Sequence, residues 1–285
     1  MYPAAFDYHR PSTVQEAVEI LQANPEAKLL AGGHSLLPAM KLRLATPGAL
    51  VDLSQISELK GIAVNGEATI GAMVTYDEAI TSGALGGWAA LNDAITHVGD
   101  VQVRNRGTIG GSAAHADPAA DVTAALTALG AQFVVQGPSG QRSIAADDFF
   151  VDIFTTALEP EDVLVAIKLP ALDANTSSAY VKFAHPASGY PVCGVAAVVT
   201  RDGSGNVSKA CLVATGSVYR PTHLNSAADG IVGTSGDAAA VEAAAARAAE
   251  GIDEFAGDHY ASSEYREHLT KVFAKRALNK ALGNS

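Results

Sequence analysis

The sequence predicts an α+β chain in three parts, and three observations carry that prediction. Helix-period and short strand-like runs alternate over residues 1–57. An alternating run then turns about the Asn65-Gly66 pair, followed by helical patterns and further strands. Long strand-like runs and alanine-rich helical patterns fill the last third.

The first part is residues 1–57. After Pro11, "STVQEAVEILQAN" offers Ser12 or Thr13 as N-cap, with Gln15 or Glu16 three residues on and Val14, Ala17, Val18 and Leu21 at helical spacing. "AKLLAGG" is a short apolar strand stopped by glycine, and "ALVDLSQI" a second strand ending near Ser57. The second part is residues 58–171. "GIAVNGEATIGAMVT" is a hairpin, "TYDEAITSG" and "GWAALNDAITHVG" are helices, and residues 119–130 form a helix running into the strand "AQFVVQGP". "PEDVLVAIKLPA" closes this part as a strand. The third part is residues 172–285. "SSAYVKFAHP" has the period of a strand, and "PVCGVAAVVTRDGSGNVSKACLVATGSV" is two strands about a Gly/Asn/Asp turn. Asp237 caps an alanine-rich helix, and a last amphipathic helix places Tyr265, Leu269, Val272 and Phe273 on one face.

Composition narrows the function classes. The 285 residues are 48% hydrophobic and 17% charged, an ordinary globular balance. A net charge of −11 repels nucleic acid and anionic membranes. No run of about 18 apolar residues predicts a membrane span, and "MYPAAFDYHRPSTVQEAV" lacks the pattern of a signal peptide. Cys193 and Cys211 lie outside any C-x-x-C pattern, so neither an iron–sulfur cluster held by this chain alone nor a disulfide framework is expected. The expectation is a soluble cytoplasmic protein.

Two stretches point to chemistry: "LLAGGHSLLPAMKLRLATP", residues 29–47, and "RNRGTIGGSAAHADPAAD", residues 104–121. Paired glycines let backbone N–H groups approach a ligand closely and form a concavity for anions. Gly32-Gly33 is followed by Ser35 and Gly110-Gly111 by Ser112, with Lys41, Arg43, Arg104 and Arg106 as nearby cations. Either pair alone is more often just a turn; on an acidic chain, both beside cations suggest a pyrophosphate. The absence of G-x-G-x-x-G excludes a Rossmann site, and that of G-x-S-x-G leaves a serine nucleophile unsupported. His115, Asp117 and Asp121 lack a third segment of metal ligands, so no metal is expected. Asp117 instead ends the loop before Pro118.

With this separation and three-part layout, the chain resembles the FAD-binding medium subunits of molybdenum hydroxylases, those of carbon monoxide dehydrogenase in particular and the FAD subunits of xanthine dehydrogenases. The resemblance spans essentially the whole chain. It implies a two-subdomain FAD-binding domain of the vanillyl-alcohol-oxidase (PCMH) type over 1–57 and 58–171. A C-terminal domain with a small antiparallel sheet and helices follows over 172–285. It implies further that Ala31, Gly32, Gly33, His34, Ser35 and Leu36 wrap one side of the FAD diphosphate, and Thr108, Ile109, Gly110, Gly111 and Ser112 the other. Asp121 matches a carboxylate that holds an FAD hydroxyl, Leu164 a backbone contact to the flavin ring, Lys182 a lysine near the flavin, and Tyr190 a tyrosine over the isoalloxazine that gates it. Two departures stand out: Asp100 close to the expected diphosphate, and "KFAHPASGY" without the arginine of the family pattern.

The resemblance implies noncovalent FAD taking electrons from a small subunit with iron–sulfur clusters, fed by a large molybdopterin subunit, in a dimer of heterotrimers. A quinone, NAD or oxygen is the external acceptor. The substrate is set in the large subunit, whether carbon monoxide, an aldehyde, an N-heterocycle or a purine. Two alternatives stand beside this: a self-sufficient oxidase with FAD bonded to His34, since "GGHS" also resembles such loops, and a flavin-free scaffold subunit.

Overall fold

The structure, a computed structural model, describes residues 1–284. Strand β1 (Asp7–His9) leads into helix α1 (Val14–Ala23), strand β2 (Ala27–Leu30), helix α2 (Leu36–Lys41) and strand β3 (Ala49–Asp52). Thr13 is the cap: its hydroxyl accepts the N–H of Glu16. The Glu16 carboxylate reaches past it to the N–H of Ser12 at 2.7 Å, so both candidate residues share the work. β1 and β2 both pair in parallel with β3, in the order β1-β3-β2. Val14, Ala17, Val18 and Leu21 bury the inner face of α1 against Val51, Leu53 and Ile56. That is the apolar stripe expected from their spacing.

The second unit is a five-stranded antiparallel sheet in the order β4-β5-β10-β6-β7. Its strands are β4 (Ile62–Asn65), β5 (Glu67–Gly71), β6 (Gln132–Gly137), β7 (Gly140–Ala145) and β10 (Val163–Leu169). The last of these in sequence lies at the centre. Between β5 and β6 come α3 (Tyr76–Ser82), α4 (Ala89–Thr96), α5 (Val101–Arg104), α6 (Ile109–His115) and α7 (Asp121–Ala128). The short helix α8 (Ala146–Phe149) and the ribbon β8 (Phe150–Asp152) with β9 (Thr155–Thr156) precede β10. Every residue of α7 is buried, which is why its sequence carries no polar stripe. The helix expected over 119–130 occupies only 121–128, because Pro118 and Ala119 form the turn that Asp117 closes.

The third unit is the antiparallel sheet β11-β12-β13-β14 (Thr176–Ala184, Pro191–Arg201, Val207–Thr215, Thr222–His223). Helices α9 (Asn225–Ile231), α10 (Ala238–Ala246) and α11 (Ser263–Leu282) complete it. Val195 and Ala197 of β12 join the cluster formed with these helices, whereas Ala196 faces the core around α4 and α7. Burial on both faces explains the uninterrupted apolar run of β12. The sequence reading contained neither β14 nor α9. It also placed Tyr265 on the buried face of α11, but Tyr265 is 43% exposed. The buried stripe runs through Arg266, Leu269, Thr270, Phe273 and Ala277 instead. Carbonyl oxygens of Val192 (2.8 Å) and Gly216 (2.6 Å) draw the Arg266 guanidinium inward and rotate the helix accordingly. Among the described residues no helix is long and apolar enough to cross a membrane.

Candidate cofactor site

β2 ends at Leu30 and the chain turns at once. Gly33 has φ +75°, a left-handed conformation natural to glycine. The carbonyl of Gly33 accepts from Leu37, and His34 Nδ1 lies 3.1 Å from the Gly32 oxygen. Among the described residues, no acceptor in this chain takes the backbone N–H of Gly32, Gly33, His34, Ser35 or Leu36. Ser35 makes no capping bond with its hydroxyl. Five successive unengaged amides in a glycine turn form a concavity for an anion. Lys41 and Arg43, one helix beyond, are exposed and held in no ion pair among the described residues.

The second glycine pair is built differently. Gly110 and Gly111 lie in the first turn of α6, with Thr108 as N-cap. Ile109 N–H donates to Val74 O (3.0 Å), Gly110 to Ala72 O (3.2 Å), Gly111 to Thr108 Oγ1 (3.0 Å) and Ser112 to Thr108 O (3.0 Å). This loop therefore has no open amides from Ile109 to Ser112, and the expectation of two equivalent N–H concavities is corrected. Its glycines serve close packing: a Cβ on Gly110 would stand 2.5 Å from Ala72 O, and one on Gly111 2.6 Å from the capping hydroxyl. A Cβ on Gly32 would collide with the carbonyl of Arg106, and one on Gly111 would sit 3.2 Å from Ala31 Cβ. The two loops thus lie edge to edge, in a contact that only glycine permits.

The cations flanking this loop divide. Arg104 donates to Val98 O (2.9 Å) and Gly99 O (3.2 Å) and holds its own turn, while Arg106 is exposed. The unexpected Asp100 is the N-cap of α5, accepting from Val103 N at 2.8 Å. Its carboxylate serves a helix end and need not face a phosphate.

Beside the loops lies a buried polar cluster. Lys182 Nζ stands 3.0 Å from Asp121, and it donates to His97 O and Gly189 O at 2.8 Å each. Tyr180 OH donates to Asp121 Oδ1 at 2.8 Å. Burial pushes the Asp121 carboxyl up from its ordinary range, and the Lys182 charge and the Lys182 and Tyr180 hydrogen bonds oppose that shift. Both carboxylate oxygens have partners in this cluster, and Oδ2, whose only partner among the described residues is Lys182, keeps acceptor capacity for a further hydroxyl.

Gly189, with φ +74°, turns the chain into Tyr190, which is 46% exposed. The Tyr190 phenol is pushed up by burial and by the negative charges of Asp117 and Asp121, and Lys182 holds the carbonyl of the residue before it. Leu164 stands immediately before an irregularity in β10, and the next carbonyl, that of Val165, accepts from Ala72 N at 2.9 Å. Ala72 in turn accepts from Gly110, so β10 abuts the second loop.

Two tyrosines in this cluster were absent from the sequence reading. Tyr180 was legible, because strand alternation puts residues 180 and 182 on one face. Tyr76 had no such signal. Its ring is buried and its N–H donates to Gly107 O at 3.1 Å.

The open amides, the glycine contact and the free cations fit a diphosphate, and an aromatic at the rim fits the face of a flat ring system. A family model described as the FAD binding domain in molybdopterin dehydrogenase matches residues 4–172. The chain belongs to this family of FAD-binding oxidoreductase subunits. The C-terminal domain of CO dehydrogenase flavoproteins matches residues 178–281 of the subunit. The subunit is 39% identical to the carbon monoxide dehydrogenase medium chain of Hydrogenophaga pseudoflava over 284 residues, 99% of this chain and 98% of the relative. It is 33% identical to the glyceraldehyde dehydrogenase medium chain of Sulfolobus acidocaldarius, over 98% of this chain and 99% of that one. A solved carbon monoxide dehydrogenase from H. pseudoflava, lacking the Mo-pyranopterin moiety of its cofactor, superposes with a TM-score of 0.94 at 40% identity. That match covers 100% of this chain and 99% of the other.

Proposed function

We propose that this subunit carries noncovalent FAD in a molybdenum-containing hydroxylase or dehydrogenase complex, taking electrons from iron–sulfur clusters of a small partner and passing them to an external acceptor. The observation that carries this reading is the pair of glycine loops: the amides of residues 32–36 are open to a diphosphate, and Gly32 lies against the Arg106 carbonyl. Residues 31–36 and 108–112 hold the diphosphate, the former through backbone N–H groups and the latter through close packing and the Ser112 hydroxyl. Leu164, Lys182 and Tyr190 border the ring system, and Asp121 takes a hydroxyl of the FAD. When bound, the flavin supplies two-electron acceptance and delivery to the acceptor.

The chain's own groups orient the cofactor. Lys182 fixes Asp121 and the Gly189 carbonyl, and so holds the loop that carries Tyr190. The Tyr190 ring, half exposed, limits access from solvent. We divide the chain into 1–57, 58–171 and 172–285, between the strand pairs β3/β4 and β10/β11 that start and end its sheets. A large molybdopterin subunit completes the complex, as a cytoplasmic dimer of heterotrimers. That its relatives are medium chains supports a multi-subunit assembly.

The test is reoxidation. The FAD-loaded chain is photoreduced without air, then mixed with a benzoquinone, NAD or oxygen while absorbance is followed. Return of the oxidised spectrum with one acceptor at a rate proportional to its concentration supports delivery from this subunit. A reduced flavin inert to all three contradicts it.

A further inference from the structure

The buried hydroxyl of Thr215 reaches out of its own unit. Thr215 ends β13, is fully buried, and pairs with Gly194 of β12. Its hydroxyl stands 2.6 Å from Pro118 O and 3.1 Å from Ala120 O, sharing one proton between them. The next residue repeats the contact, for Gly216 N–H donates to Pro118 O at 2.8 Å. Both lone pairs of that carbonyl are thereby taken by the C-terminal unit. The segment held in this way, residues 118–120, leads directly into Asp121 at the start of α7.

The same turn sets the other side of the site. Gly216 has φ +76°, and a Cβ on it would collide with Pro191 O, so the turn lies flush against the residue that follows Tyr190. Arg266 clamps the two from α11, its guanidinium donating to Gly216 O at 2.6 Å and to Val192 O at 2.8 Å. Residues 215 and 216 therefore sit between the segment that carries Asp121 and the segment that carries Tyr190, bonded to the first and packed on the second.

We propose that Thr215 is a positioning residue for the cofactor: its hydroxyl fixes residues 118–120 and through them the placement of the Asp121 carboxylate against the Tyr190 segment. The proposal rests on the FAD reading of the site. Removing the hydroxyl orphans neither carbonyl, since Pro118 O keeps the Gly216 amide and Ala120 O keeps Thr123 Oγ1 at 2.9 Å. The segment loosens while the fold stands.

The experiment titrates the apo chain and its variants with FAD, at a temperature where each chain is folded by far-ultraviolet circular dichroism. Thr215→Val removes the donor at nearly constant volume, and Thr215→Ser restores it. Ser217→Ala is the control, because that buried hydroxyl of the same turn bonds to Thr270 at 2.8 Å instead. Flavin fluorescence reports the Kd, visible circular dichroism of the bound flavin reports its surroundings, and thermal melting reports stability. Preorganisation worth one neutral hydrogen bond corresponds to about tenfold in Kd. Thr215→Val should lose about that factor and change the visible dichroism, Thr215→Ser should recover both, and Ser217→Ala should lower Tm with neither changed. Thr215→Ala, which puts no methyl against the Pro118 carbonyl, takes the place of the valine variant if that chain does not fold. Wild-type Kd and dichroism in the variant without the hydroxyl overturn the proposal. Equal shifts in Ser217→Ala overturn it too, because the Thr215 hydroxyl is then only part of the core. A wild-type chain that binds no FAD overturns the FAD site itself, and the proposal with it.

Discussion

The ammonium of Lys182 lies 3.0 Å from the carboxylate of Asp121, both side chains being 5% exposed. Its remaining protons go to the carbonyls of His97 and Gly189. One ion pair therefore ties the end of α4, the start of α7 and the loop before Tyr190.

Removing one partner leaves a buried charge alone. Lys182→Met and Asp121→Asn should each cost about 3–5 kcal/mol in urea unfolding, and the double variant clearly less than their sum. Additive losses in that double-mutant cycle would show that the pair is not coupled as described.

Gly32→Ala tests the contact between the loops. The added methyl meets the Arg106 carbonyl, so the variant should lose about 1–3 kcal/mol and most of its FAD affinity. Gly87→Ala, where a Cβ meets nothing within 4 Å, is the control and should leave both unchanged. Equal behaviour of the two variants in melting and FAD titration would sink the edge-to-edge account.

Alkaline stability follows from two buried phenols. Burial raises the folded-state pKa of Tyr76 and of Tyr180 above the ordinary value of 10.0. Above pH 10 the unfolded chain has released protons that the folded chain keeps, so this contribution is complete below pH 10 and is lost as pH rises. The slope is about 1.4 kcal/mol per pH unit for each tyrosine. Urea unfolding of Tyr76→Phe between pH 10 and 11, where the unfolded tyrosine is still titrating, should show a slope shallower by about 1 kcal/mol per pH unit, and an unchanged slope would contradict the burial of its hydroxyl.

Much of this architecture is written locally in the chain. Thr13 and Asp237 cap the helices their sequence context indicates, and the Asn65-Gly66 hairpin turns where those residues permit it. Glycine pairs mark both loops. What the sequence does not carry is the difference between them, because whether an amide is open depends on Ala72 and Val74, which the sheet brings in from another segment. The partnership of Asp121 with Lys182 and Tyr180 is equally nonlocal: about sixty residues of chain separate them. Arg266 defeats a purely apolar reading of α11, since its acceptors belong to β12 and to the turn after β13.

Tyr190→Ala separates gating from binding. With the ring half exposed, its loss should leave the FAD Kd within about threefold and raise the rate of flavin reoxidation by a small quinone. Stopped-flow traces identical to those of the wild type would make Tyr190 a turn residue only.

The central claim is tested most directly by the visible absorption spectrum of the purified chain after addition of FAD and gel filtration, taken before and after acid precipitation. The account predicts flavin bands that travel with the protein and pass into the supernatant on precipitation. Bands that remain in the pellet would contradict noncovalent binding and make His34 a covalent anchor, and a colourless folded chain would contradict the FAD site and leave a scaffold.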